Sequence, residues 1–526
     1  MFRAIRWAVG LGALATVVAC SGGEPDPSTG EGDEDLTSLT ARQRVLTFEG
    51  TVYVAPNASE AKIIEAARAQ TQTAFGALLN AEVAVQSREV QNVDPASFRK
   101  RPVTVVDLAA GGAGREMLEV SYKYTDNAVV PVAMSRKTSL SLALLGQGHA
   151  PKTKEVVELC TKNDKEARED AEAGLLWYDF NPSKSSCRKA MEQEQRRIDD
   201  ESGRLEDPRK MVPLSRAERV YLPVTMQLAR AATATRATYP EYDRLFTGGA
   251  EPGVLTIAIV NGRLAHDRVE ARKDGGYYEW MAALDVIFTE IPGFELTKVE
   301  PAADITTVNI EGRRYDLKFS DFIQWTVYGS GWPSGMPASS RDDIAKRIAD
   351  TLDGRWVTFE KKVKVQIGDE PEKDFTLRIE TMFGADTDPA PHRRAVKRGD
   401  VVLYNGHSYI GYGPLDPDHF KPSSFSPGYQ LLFFDSCVSY NYYEKDFFAL
   451  KEGGSKNLDM ITNGLEAPEW QSGEAQGAFV AKLIGGTMPS YQTLLKAAQA
   501  TDALRVVDGE IDNRFSPSRT RVKLTR

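Results

Sequence analysis

The sequence predicts an α/β protein, and three observations carry that reading. Val401-Val402-Leu403-Tyr404 and Leu431-Leu432-Phe433-Phe434 are short, wholly apolar runs bounded by Gly, Pro, Asn and Asp. Runs of this kind mark strands buried on both faces, as in parallel sheets. A third run at 254–260 is followed by an apolar stretch at 277–288 that suits a helix packed on it. Strands that alternate with helices in this way build α/β folds.

From the N-terminus, Arg3 and Arg6 supply a positive start, residues 7–19 an apolar stretch and Val17-Val18-Ala19-Cys20 a cleavage-site pattern. The stretch is too short to span a bilayer and has the flanks of a signal peptide. Bacterial lipoprotein signals resemble it, with Val17 where Leu is more usual; the resemblance implies removal of 1–19 and lipidation of Cys20. An ordinary secretory signal with a chance cysteine is the other reading, and both export the chain. Residues 20–42 are small, acidic and proline-bearing, the composition of a disordered tether. The Ser21 that follows the cysteine favours an outer-membrane destination by analogy with lipoprotein sorting.

Folding is expected to begin near Gln43. An N-terminal α/β or α+β domain spans 43–245: a strand at 45–54, a helix from the N-cap Ser59 to 79, a strand at 103–106, and a strand pair at 117–124 and 129–134. Residues 163–173 and 189–219 are dense in charge, and 219–234 is helix-prone, ending before Tyr239-Pro240. In the C-terminal domain, 246–526, a helix is expected at 342–352. Two strands, 356–367 and 375–382, are joined by the turn Asp369-Glu370-Pro371. Beyond Cys437 come a strand at 458–462 and helices at 474–483 and 489–500.

The apolar fraction of 41% suffices for packed cores, and a net charge of −9 offers no basic face for nucleic acid. No metal spacing is present: His149, His266, His392 and His419 read as surface or structural histidines, and no cofactor is implied.

The four cysteines each have a use. With Cys20 acylated in an oxidising compartment, Cys160 and Cys187 form the natural disulfide, closing a loop and contributing about 3 kcal/mol in the chain-entropy model. Cys437 is left over. An unpaired thiol in an exported chain is a flag for reactivity, while a buried strand cysteine acting as a small hydrophobe is the plain alternative. Asp435-Ser436-Cys437 and Gly406-His407-Ser408 each follow one of the apolar runs. Neighbouring parallel strands therefore set a thiol and an imidazole together at the carboxyl edge of one sheet, where open α/β folds keep their sites. Such a pair is a nucleophile with its proton-transfer partner. A helix beginning soon after Cys437 is expected to lower the thiol pKa. The Asp435 carboxylate either orients His407 or hydrogen-bonds the strand end.

The order His then Cys, 30 positions apart (407 to 437), fits poorly with the papain-like and NlpC/P60-type arrangement, which places Cys first and His far downstream. The blocks 400–407 and 430–437 resemble the clan CD cysteine peptidases, which include caspases, legumains, gingipains, clostripain and separase. The resemblance implies a C-terminal caspase-like, mainly parallel sheet flanked by helices. It also implies hydrolysis of peptide or protein substrates, with Cys437 attacking the scissile carbonyl and His407 protonating the leaving amine. Oxyanion donors would lie around Gly406, Ser408 and Cys437. Ser408 stands where the family usually has Gly, and Ser436 where it often has Ala. The second reading is a caspase-like surface lipoprotein without catalysis, acting as a binding or scaffold protein. No side chain for a third catalytic role is evident.

Overall fold

The computed structural model describes residues 36–109, 111, 114–230, 236–265, 269–384, 387–468, 470–499 and 503–525. The expected signal, Cys20 and most of the tether lie outside them, as does His266. No helix among the described residues is long and apolar enough to cross a membrane.

The chain is mixed α/β, built on two large sheets. The N-terminal sheet comprises β1 (Ala41–Val54), β2 (Ala84–Val85), β3 (Arg99–Val106), β4 (Gly114–Pro131), β5 (Ser139–Leu145), β6 (Met211–Pro213) and β7 (Tyr221–Arg230). Its order is β5-β7-β1-β4-β3-β6, with β2 beside β4. The C-terminal half contributes β8 (Val254–Asn261), β9 (Glu295–Glu300), β10 (Thr307–Ile310), β11 (Arg313–Asp316), β12 (Trp356–Ile367), β13 (Lys373–Phe383), β14 (Val401–Asn405), β15 (Gln430–Asp435), β16 (Leu458–Asn463), β17 (Arg505–Asp508) and β18 (Val522–Thr525). The β10–β11 hairpin stands apart; the others form a sheet in the order β17-β16-β15-β14-β8-β13-β12-β18, with β9 also on β12. That sheet is mixed: β13, β8, β14, β15 and β16 run parallel at its centre. Strands β17, β12, β18 and β9 join it antiparallel.

Two departures from the sequence reading have plain causes. Residues 219–234, rich in helix formers, contain β7 instead. Val224, Met226 and Leu228 alternate inward along it, and its position between β5 and β1 outweighs intrinsic propensity. The expected pair at 117–124 and 129–134 is the single strand β4. Asp126 interrupts its apolar pattern, but Tyr124 Oη, Ser87 N and Ser87 Oγ donate to its carboxylate at 2.7, 2.9 and 3.0 Å, so the strand continues through it.

The N-terminal unit is ordered earlier than the tether boundary at 42 implies. Leu36 is buried, and Thr37 exchanges backbone hydrogen bonds with Val507 of β17. Tyr242 and Leu245, assigned by sequence to the N-terminal domain, pack into the C-terminal core. Cys160 and Cys187 are bonded and fully buried, tying the helix Thr153–Cys160 to the helix Ser185–Ser202.

Strands β14 and β15 are buried throughout, and their alternate residues divide between two cores. Leu403 and Phe433 face Trp280 and Phe479 in the C-terminal core. Val402, Tyr404, Leu432 and Phe434 face a second core that continues into the N-terminal unit through Phe75, Phe48 and Tyr122. The Phe75 ring stacks on Tyr442 at 5.8 Å between centroids, so the two sheets share that core.

Candidate functional site

Strands β14 and β15 pair parallel with Asn405 opposite Asp435. His407 and Cys437 therefore leave the same edge of the sheet from matching positions, each in a turn that follows its strand.

On the histidine side, a Cβ on Gly406 would fall 2.5 Å from Tyr404 Oη. That hydroxyl donates to the His407 carbonyl at 2.8 Å, so the close approach requires glycine. The His407 imidazole Nε2 lies 3.0 Å from the carbonyl oxygen of Leu264, in the loop after β8. A carbonyl only accepts, so Nε2 carries a hydrogen and Nδ1 is the basic nitrogen of the neutral ring. Leu264 is itself fixed. Asp274, the N-cap of the helix Gly275–Glu290, accepts from Leu264 N and Ala265 N at 2.9 Å each, as well as from Gly276 N.

One restraint on His407 is thus a backbone carbonyl, which any residue type supplies, and side-chain patterns hold no trace of it. The readable signal is Asp274, an Asp just before the helix predicted at 277–288. Ser408 is buried and its carbonyl accepts from Tyr443 Oη at 3.0 Å.

Cys437 is half-buried, and its thiol points to the carbonyl of Ala467 at 4.0 Å. Burial pushes the thiol pKa up to about 11, with the carboxylates of Glu466 and Asp435 raising it further against the contact with Ala467. The helix expected soon after Cys437 is present, but the net shift is upward rather than the lowering expected from it. The chain turns through left-handed Val438 (φ 53°) and is helical from Ser439, where a π-helical stretch at Tyr440–Glu444 runs into the α-helix Lys445–Leu450. The helix start therefore lies close to the thiol, and desolvation by burial outweighs it in setting the upward direction. Tyr178 of the N-terminal unit reaches this side as well, donating to Glu466 Oε1 at 3.3 Å.

The Asp435 carboxylate is engaged along the sheet: Arg505 Nη2 donates to it at 2.6 Å and Asn463 Nδ2 at 2.8 Å. Asn463 also accepts from Arg505 Nε at 2.9 Å, closing a buried ring across β15, β16 and β17. Of the other histidines, His392 is buried against Tyr404, and burial pushes its pKa down to about 4. It is a neutral core residue. No group of three or more His, Cys, Asp or Glu among the described residues is arranged to hold a metal ion.

No family model, curated protein or solved structure matches this chain.

Proposed function

We propose that this chain is a lipid-anchored protein of the bacterial cell envelope, more specifically of the outer membrane, whose C-terminal half is a caspase-like cysteine peptidase that hydrolyses peptide bonds through Cys437 and His407. The observation that carries the reading is the parallel pairing of β14 with β15, in register at Asn405 and Asp435, which sends both groups out at one carboxyl edge. The parallel centre of the sheet and the hydrogen bond from His407 to Leu264 support it.

With the thiol held neutral, the chemistry starts from thiol and imidazole rather than from a preformed ion pair. His407 Nδ1 takes the Cys437 proton as Sγ bonds to the scissile carbonyl carbon. The carbonyl π electrons move to oxygen, which backbone N–H groups around Ser408 and Cys437 would stabilise by roughly 3–4 kcal/mol per donor. The imidazolium then protonates the leaving amine as the C–N bond breaks. Water hydrolyses the thioester, with His407 again moving the proton.

Incubating the protein with a diverse peptide library and reading new termini by mass spectrometry tests this. Cleavage that is lost on alkylation of Cys437 is expected, and an uncut library rejects the peptidase reading. The raised thiol and its contact with Ala467 favour a second reading in that event, a silent caspase-like scaffold at the cell surface.

The anchor is tested separately. Cys20→Ala is expected to move the protein from the membrane pellet to the soluble fraction of cells. Retention in the pellet would remove the lipid anchor from the proposal.

A further inference from the structure

We propose that residues 85–90 of the N-terminal unit form a clasp that positions both site-bearing turns, with Arg88 as its principal positioning residue. This rests on the peptidase reading above and gives the N-terminal unit a part in the site. The turn that follows His407 is conformationally costly: Tyr409, Ile410 and Gly411 are consecutive left-handed residues, with φ of 51°, 55° and 82°. L-residues hold such a run only where their surroundings over-determine it. Arg88 supplies that restraint with both arms of its guanidinium, Nη2 donating to the Gly411 carbonyl at 2.9 Å and Nη1 to Asp416 at 3.0 Å. Its plane also covers the Tyr412 ring at 4.5 Å.

The same segment grips the turn that follows Cys437. Asn441 Nδ2 donates to the carbonyls of Val85 and Ser87 at 2.9 and 2.7 Å, and Glu89 N donates to Asn441 Oδ1 at 2.9 Å. Asn441 is buried and thereby uses both donors and its acceptor on one short stretch of backbone. Lys445 Nζ adds a bond to Ser87 Oγ at 3.0 Å. The clasp is itself locked, since Ser87 is bound to buried Asp126 of β4 and Glu89 and Val90 are left-handed at φ 51° and 58°. One rigid segment of the N-terminal sheet thus sets two turns whose mutual placement decides whether a thiol and an imidazole meet. Geometry of that kind is held by supporting contacts rather than by the reacting groups.

The test is the pH profile of Cys437 alkylation by iodoacetamide in the full-length protein. Arg88→Ala is expected to loosen the turn, admit water to the thiol and move the midpoint down by about one pH unit, read as ~tenfold faster alkylation at pH 9. Arg88→Lys keeps the charge opposite Asp416 but lacks the fork that spans both acceptors, so an intermediate profile is expected. Arg99→Ala, which removes an exposed pair with Glu49 in the same sheet, serves as the control for general loosening and is expected to match wild type. A profile for Arg88→Ala that superimposes on wild type, or an equal shift in Arg99→Ala, overturns the clasp. Should Arg88→Ala fail to fold by near-UV circular dichroism, Asp416→Asn reads the same turn with the Gly411 contact intact. Peptide hydrolysis by the wild-type protein is scored independently, so loss of the peptidase reading and loss of the clasp are separate results.

Discussion

Cys437→Ala is expected to lower peptide hydrolysis by at least roughly a thousandfold, and His407→Ala to do nearly the same, because members of one catalytic unit fail together. The double variant should be no slower than either single one. Thermal unfolding separates chemistry from folding. Cys437 is half-buried against the shared core, so its alanine variant loses little packing and should melt near wild type.

The pH dependence follows from the raised thiol. Its folded-state pKa of about 11 lies above the ordinary value of 9.0, so the native protein holds this proton more tightly than the unfolded chain does. The stability from that proton is fully present below pH 9 and is lost as pH rises through 11. Alkylation of resting Cys437 should accordingly climb through pH 9 and 10 toward a midpoint near 11, instead of reaching the plateau near neutrality that a preformed thiolate gives. A plateau below pH 8 would mean that an ion pair with His407 already exists. Hydrolysis that survives both alanine variants would place the chemistry elsewhere.

The parts of this protein that were legible in its sequence are those written in apolar pattern. Strands β8, β14 and β15 read as nearly continuous apolar runs because both of their faces are covered, and the parallel neighbourhood of β14 and β15 follows from the same fact. The pairing of Cys160 with Cys187 was legible because the two lie close in sequence within one stretch of the chain. The antiparallel margins of the sheet were less so. Strands β17 and β18 have four residues each, and their pairing depends on tertiary neighbours rather than on local pattern. The support of the site was least legible. Leu264 acts through its carbonyl, Asn441 through contacts with main chain more than 350 residues away, and Arg88 through a turn in another sheet. None of these leaves a period or a spacing in the sequence. Asp435 shows the limit most clearly: Asp directly before Ser436-Cys437 reads either as a partner for the histidine or as a hydrogen-bonding group at the strand end, and local sequence gives no sign that its carboxylate is bound to an arginine 70 positions downstream.

That ion pair carries the second large expected effect. Arg505 and Asp435 are both buried, with Arg505 also donating to Asn463 and to the Ala498 carbonyl and lying over the Phe433 ring at 4.9 Å. Breaking a buried pair by removing one member strands the other charge in a poorly polarisable interior, at a cost of roughly 3–5 kcal/mol. Arg505→Met, close in length but without donors, should therefore lower the apparent unfolding midpoint in urea more than Arg99→Ala, which removes an exposed pair with Glu49. Replacing both members, Asp435→Leu with Arg505→Met, should recover much of the loss, because an apolar pair of similar volume leaves no charge unsatisfied. The consequence for the site follows from chain connectivity. Asp435 ends β15 two residues before Cys437, so loosening its anchor frees the turn that carries the thiol. Arg505→Met should then raise the rate of Cys437 alkylation, and the double variant, which restores packing but not the hydrogen-bonded ring through Asn463, should recover stability further than it recovers the slow rate. Equal recovery of both would show that the ring acts on the thiol through global stability alone. An unchanged midpoint in Arg505→Met would mean that the ring adds nothing to the fold.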